Sequence, residues 1–231
     1  MSEPWLILET SGRGGRVGLA IGGQLAGTVE LDPARRHNRD LAPAGDALLK
    51  AAGLAPKDLF GVAVSVGPGS YTGLRVGVMS AKMLAYATGC RLVAVPTFHA
   101  IAEQSPAETM AVDVIADALQ GHVYVQRFHK AGAVWTPIDE LRIVPVVNWA
   151  ESTNPQVWVS GPGLTTYDAA IPSFVPRVPP ADRVPGLAAV LKVGLMLPAL
   201  AGDAILQLEP IYLRGSSAEE KARTISNAIK T

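Results

Sequence analysis

The chain is short of cysteine, of aromatic residues and of any excess of one charge. Of its 231 residues one, Cys90, is a cysteine, so no internal disulfide framework or multi-cysteine zinc site can form. A lone thiol suits a reducing compartment. Lys and Arg number 20, and so do Asp and Glu. A protein that grips nucleic acid by itself carries a basic excess, and this balance argues against one. Aromatics at 6% leave little for a base-stacking platform. The longest apolar stretch, residues 184–201, contains Lys192, Pro185 and Pro198, which predicts a buried helix rather than a membrane span. Met1-Ser2-Glu3-Pro4 lacks the basic start of a secretory signal, so the expectation is a soluble cytoplasmic protein.

What the chain has is apolar residues, at 48%, with 23 glycines and 18 prolines to punctuate them. That is enough for a full core without a metal or disulfide staple. Three apolar runs at 5–8, 17–21 and 25–31 are separated by Gly-rich turns and predict a meander. Leu41, Ala44, Leu48 and Ala52 recur at helical spacing, predicting an amphipathic helix over 38–52 that stops at Gly53. Residues 61–66 are nearly all β-branched or small, as in a strand buried on both faces. A helix over 76–88 is stopped by Gly89, a strand covers 91–95, and a connecting helix runs from Pro96 through Glu103. The opening pattern then returns. An apolar run at 111–116 ends at Asp117, Gly121 turns, and 123–128 is the next strand. The first run likewise ends at Glu9 and turns at Gly12. This weak duplication predicts two related lobes, residues 1–100 and 101–231. The second is less regular: a strand over 156–160, an irregular Pro-rich stretch over 174–185, a helix over 187–197, a short strand over 210–213 and a polar tail.

The densest signal is Gly67-Pro68-Gly69-Ser70-Tyr71-Thr72-Gly73-Leu74-Arg75-Val76-Gly77. Glycine-rich loops between strand and helix often cradle phosphate. A P-loop, however, needs four residues between its glycines and then Gly-Lys-Ser/Thr, and the dinucleotide fingerprint needs two between its second and third. Here three separate Gly69 from Gly73, so neither spacing fits. Close packing of a helix on the sheet and contact with a ligand or partner both stay open. Ser65 lies in a degenerate nucleophile elbow, but Pro68 and Gly69 intervene before any helix, which favours an ordinary strand serine. His37, His99, His122 and His129 form no His-x-x-x-His or His-Glu-x-x-His pair, so no metal site is expected. Glu9-Thr10-Ser11 ends a strand where many α/β folds handle phosphate, and a turn acid accepting backbone N–H bonds is the favoured reading there. Arg35-Arg36-His37-Asn38-Arg39 is a basic cluster ahead of the first helix, either solvated or facing RNA or an acidic partner. Gly77, Ala81 and Ala85 form a small-residue stripe that could admit a second helix. Together with Leu41, Ala44, Leu48 and Ser80 it offers half of a four-helix interface.

The Gly67–Gly77 loop resembles the signature of the TsaB (YeaZ) family, partner subunits in bacterial tRNA threonylcarbamoyladenosine synthesis. Further anchors follow in order along nearly the whole chain: Ile7-Leu8-Glu9-Thr10-Ser11, His37-Asn38-Arg39-Asp40-Leu41-Ala42-Pro43, Asp117-Ala118-Leu119-Gln120-Gly121-His122-Val123-Tyr124 and Pro210-Ile211-Tyr212-Leu213-Arg214. The resemblance implies a two-lobed actin-like (ASKHA) α/β fold with mixed sheets flanked by helices, the second lobe smaller. It implies a non-catalytic scaffold for a TsaD-type transferase, which modifies adenosine 37 of tRNA, with a TsaE-type ATPase joining. Homodimers when alone, tRNA contact through partners and no cofactor of its own are also implied. The partner-binding positions carried over are His37, Leu41, Ala44, Leu48, Gly77, Ser80, Ala81 and Ala85. The catalytic paralogue holds metal through His-x-x-x-His, where this chain has His37 followed by Leu41. Glu9 stands where the family has Asp, and Leu119-Gln120 where it has Arg-x. Both departures weaken a vestigial phosphate loop at Glu9, Thr10 and Ser11. The rival expectation is an ATP-binding phosphotransferase or ATPase using Glu9 and Asp117.

Overall fold

The computed structural model describes residues 3–32 and 40–213. The meander forms as β1 (Pro4–Glu9), β2 (Arg16–Ile21) and β3 (Gln24–Glu30), with α1 (Leu41–Ala51) following. Then come β4 (Gly61–Gly67), α2 (Tyr71–Thr88) and β5 (Arg91–Pro96). The sheet runs β3-β2-β1-β4-β5. Its first three strands pair antiparallel, and β1, β4 and β5 pair parallel. Every residue of β4 is buried, because helices cover both faces. Strand alternation sorts the β1 side chains. Leu6 and Leu8 meet α1 and α2 through Leu49 and Val78, whereas Trp5 and Ile7 face the opposite layer.

α3 (Thr97–Ala102) leads into β6 (Ala111–Asp117), β7 (His122–Ala131), β8 (Val134–Pro137), β9 (Arg142–Pro145), α4 (Val146–Glu151) and β10 (Trp158–Ser160). This second sheet runs β10-β6-β7-β8, with β9 also on β7. α5 (Leu164–Tyr167) follows β10. α6 (Leu187–Met196) then packs onto the first sheet through Val190 and Val193, and α7 (Asp203–Gln207) reaches the flank of α2. The duplication is deeper than the acid-ended hairpins suggested. In each half a hairpin (β1–β2, β6–β7) gains a parallel strand on its first member (β4, β10). Each added strand runs into Gly-Pro-Gly, at 67–69 and at 161–163.

Several expectations are corrected. α2 begins at Tyr71 rather than Val76, because the Ser70 hydroxyl caps it by accepting from the Gly73 N–H at 3.2 Å. The helix expected over 38–52 is described from Leu41, and Asn38 and Arg39 lie outside the described residues. The strand expected over 210–213 is a single backbone contact, Ile211 N–H to the Val66 carbonyl at 2.7 Å. A register shift between β4 and β5 at Ser65/Gly67 leaves that carbonyl free and no further ladder beside it. Composition concealed β8 and β9, which are four residues each and end in proline.

One polar group holds the second sheet to α4. Asp113, 1% exposed, accepts from Arg127 Nε at 2.6 Å and Nη2 at 2.8 Å, and from Trp149 Nε1 at 3.0 Å. Removing the acid strands a guanidinium and an indole N–H. Asp113→Ala is expected to lower stability by roughly 3 kcal/mol, as for breaking a buried pair. A urea midpoint that falls at constant slope is the measurement.

Candidate functional site

The glycine-rich loop lies on the end of β1, and sterics account for its glycines. Gly67 N–H donates to Thr97 Oγ1 at 3.0 Å, and Ser70 N–H to the Ser11 carbonyl at 2.7 Å. A Cβ on Gly69 would sit 2.5 Å from the Ser11 oxygen, and one on Gly73 would sit 2.1 Å from the Thr10 oxygen. One on Gly77 would fall 2.2 Å from Thr10 Oγ1. No real Cβ approaches so closely, so strand end and helix start can touch only where the side chain is a hydrogen. Gly73 and Gly77 are the i, i+4 pair of α2 pressed on Thr10, and Gly69, in the loop just before the helix, is pressed on Ser11. Close packing of the helix on the sheet, one of the two readings left open, is what these contacts show.

Beneath it, Glu9 is 3% exposed and folds back on its own turn. It accepts from Ser11 N–H at 2.6 Å and from the hydroxyls of Ser11 and Ser65. The turn-acid expectation is met, and Ser65 is a strand serine serving Glu9. Burial raises the carboxyl above its ordinary 4.5, opposed in part by these hydrogen bonds and by the Arg16 charge. Asp117 accepts from Leu119 N–H and the Tyr167 hydroxyl, both at 2.8 Å. It does not line the cleft between the lobes, where Glu9, Arg13, Arg16 and Ala116 meet. That cleft holds about 200 Å³, against roughly 300–1,000 Å³ for ligand pockets. Within it the Ser11 N–H is taken by Glu9, and Gly69 is packed on Ser11. Among the described residues no three His, Cys, Asp or Glu side chains converge. No described helix is long and apolar enough to cross a membrane.

The outer layer is different. Between α1 and α2 runs an apolar groove of about 400 Å³. Its floor is Leu6 and Leu8, and its walls include Gly45, Leu49, Ser80 and Met83. On the outward side of α2, Met79, Met83 and Tyr86 are 55%, 66% and 81% exposed, and Met83 lines the groove. Of the predicted contact positions, Ser80 lines the groove and Leu41 its end. Leu48 is half-buried against the Gly27 backbone, and Ala44 is buried. The small stripe is corrected: Gly77, Ala81 and Ala85 face the sheet, not outward, because α2 sits down on Thr10 and the core. His37 and its basic neighbours lie outside the described residues. The outward stripe of Met and Tyr was missed, although Met79, Met83 and Tyr86 recur at i, i+4, i+7 in the sequence.

A second feature joins two motifs far apart in the chain. Tyr71 and Tyr212 stack with centroids 4.7 Å apart, and the Arg75 guanidinium lies 4.4 Å above the Tyr71 ring.

A family described as tRNA N6-adenosine threonylcarbamoyltransferase (TsaD) matches residues 24–155, which hold both helices, the loop and the second hairpin. The tRNA threonylcarbamoyladenosine biosynthesis protein TsaB of Bacillus subtilis is 31% identical over 117 residues, 51% of each chain. The Escherichia coli protein of the same name is 29% identical over 133 residues, 56% of this chain and 57% of its own. This chain belongs to the TsaB (YeaZ) family. An uncharacterized protein of Mycobacterium tuberculosis shares 33% identity over 82% of this chain and 80% of its own. YeaZ from Pseudomonas aeruginosa superposes with a TM-score of 0.77 at 21% identity, covering 91% of this chain and all of that one. The fold is thereby the two-lobed actin-like α/β architecture of YeaZ.

The packed loop and its buried acid each generate an expected outcome. Gly77→Ala places a methyl against Thr10 and is expected to lose roughly 1–3 kcal/mol, as overpacking does, read from a urea midpoint. Glu9 carries a folded-state value above its unfolded one. Its contribution to stability is therefore full below about 4.5 and is lost as pH rises through the raised value. Glu9→Gln keeps an acceptor for Ser11 without that loss. In thermal unfolding the variant is expected to gain on the wild type between pH 4 and pH 7.

Proposed function

We propose that this chain is a cytoplasmic accessory subunit in tRNA threonylcarbamoyladenosine synthesis, one that binds and supports a TsaD-type catalytic subunit through the α1–α2 face. The single observation that carries the reading is the contrast between its two surfaces. The glycine-rich loop is taken up in packing on Thr10 and Ser11, while α1 and α2 leave an apolar groove lined by the exposed Met83. Contiguous apolar surface of this kind marks a protein contact. Methionine adapts to an opposing helix, and tyrosine anchors well. The names borne by the TsaB relatives place those proteins in this biosynthesis.

In this role the protein supplies shape rather than reacting groups. The β1 end fixes α2 through the three glycines, α2 and the sheet fix the groove, and a helix pair of the partner fills it. ATP and Mg²⁺ enter through the partner subunits, a TsaE-type ATPase among them, and tRNA is met through the catalytic subunit. Without that subunit the same face pairs two copies of the chain. A phosphotransferase working with Glu9 and Asp117 is disfavoured, because each carboxyl is already engaged by its own turn.

The test is calorimetric titration of the chain with the TsaD-type subunit of the same organism. Met83→Lys sets an ammonium on an exposed rim position, so melting should barely move while affinity falls at least tenfold. Wild-type affinity in Met83→Lys would remove the groove from the interface.

A further inference from the structure

Methionine commonly fills gaps in protein cores, and this chain does not use it so. All four described methionines, Met79, Met83, Met110 and Met196, are exposed. The lone thiol has the opposite placement. Cys90 is buried just beyond α2, and burial pushes it above the ordinary thiol value of 9.0, so little of it is thiolate. An oxidant in solution therefore meets thioethers first, and none of the four holds the core together.

Their surroundings differ. Met110 precedes β6 in the second sheet. Met196 ends α6, whose core contacts lie on the other face of the first sheet from those of α2. Met83 is the one of the four that lines the α1–α2 groove. It stands there with Leu84 and Ala87 of its own helix and with Leu41 and Leu49 of α1. The polar side chains of that lining are Ser80 and Asp46, and Asp46 is paired with Lys50 at 2.7 Å. A new oxygen on Met83 would have one hydroxyl, one carboxylate and otherwise hydrocarbon around it.

Hydrogen peroxide can supply that oxygen. The Sδ lone pair attacks, the S–O bond forms as the O–O bond breaks, and the second oxygen leaves as water. The sulfur gives up two electrons and the peroxide takes them. The sulfoxide is polar and chiral where the thioether was apolar. A reductase with two thiols returns the thioether, releasing water and keeping a disulfide. In the free chain, water solvates the sulfoxide oxygen. Beneath an opposing apolar helix it must shed that water, and an oxygen left without a donor there costs about a tenfold loss of affinity or more.

Resting on the functional reading above, we infer that Met83 is a reversible oxidation site, and that its sulfoxide releases the chain from the catalytic subunit while leaving the fold intact. The oxidised and reduced chains share one core and differ at the groove. Coverage by a partner shields the sulfur, so the free monomer is the form that reacts.

The experiment treats the full-length chain with hydrogen peroxide at a dilution where sedimentation shows a monomer. Peptide mass spectrometry locates the sulfoxides, and excess oxidant is removed. Wild type, Met79→Leu and Met83→Leu are then titrated with an untreated TsaD-type subunit, each compared with its own untreated form. Leucine has similar bulk and takes up no oxygen. Oxidation is expected to weaken wild type and Met79→Leu about tenfold or more, to change Met83→Leu less than about twofold, and to leave melting nearly unmoved. Methionine sulfoxide reductases of both stereospecificities should restore the wild type. Saturating TsaD-type subunit during treatment should slow oxygen uptake at Met83 and not at Met110 or Met196. Untreated affinity in a chain carrying the Met83 sulfoxide, with Met83 still shielded in the complex, would overturn this inference and leave the groove in place. An equal loss in Met83→Leu would move the effect to another residue and overturn it too. No shielding of Met83, together with wild-type affinity in Met83→Lys, would overturn the groove reading as well.

Discussion

The contact between the end of β1 and the start of α2 governs the molecule. Thr10 and Ser11 press on Gly69, Gly73 and Gly77 at distances that leave no room for a methyl group. That contact seats α2 on the sheet, turns Ala81 and Ala85 into the core, and leaves Met79, Met83 and Tyr86 pointing away. One steric constraint thus sets both the seat of α2 on the sheet and the outward face of the helix.

The arrangement is made twice. In the second half Gly161 and Gly163 come after β10 and close on Ile115 as Gly69 and Gly73 close on the β1 end. Gly67 and Gly161 both take positive φ, at 115° and 103°, which other residues rarely adopt. The halves differ in the helix that comes next. After the first Gly-Pro-Gly an eighteen-residue helix runs across the sheet, and after the second comes the four-residue α5. The long helix gives the first lobe its outward face, and the second lobe spends its polar chemistry internally, on Asp113, Arg127 and Trp149.

Much of this was legible in the residues. Alternation and β-branching located β1, β2, β4, β5 and β6, because each is buried on at least one face. The family resemblance carried the fold because its anchors recur in order, and two of them, at Tyr71 and Tyr212, turn out to touch. What periodicity could not supply was direction. Gly77, Ala81 and Ala85 read as well for a partner helix as for the protein's own sheet, and the choice between them depends on Thr10, a residue far away in sequence. The run from Leu206 to Tyr212 along α2 was illegible for a related reason. It rests on one backbone bond, a lysine and a ring stack, none of which leaves a hydrophobic period. β8 and β9 were hidden because four-residue strands are too short to show alternation.

An accessory role in threonylcarbamoyladenosine synthesis is tested most directly by the nucleoside content of tRNA from cells depleted of this chain. Threonylcarbamoyladenosine should fall on depletion, return with the wild-type chain, and stay low with a chain whose groove rim carries a charge. Unchanged threonylcarbamoyladenosine after complete depletion would contradict that role.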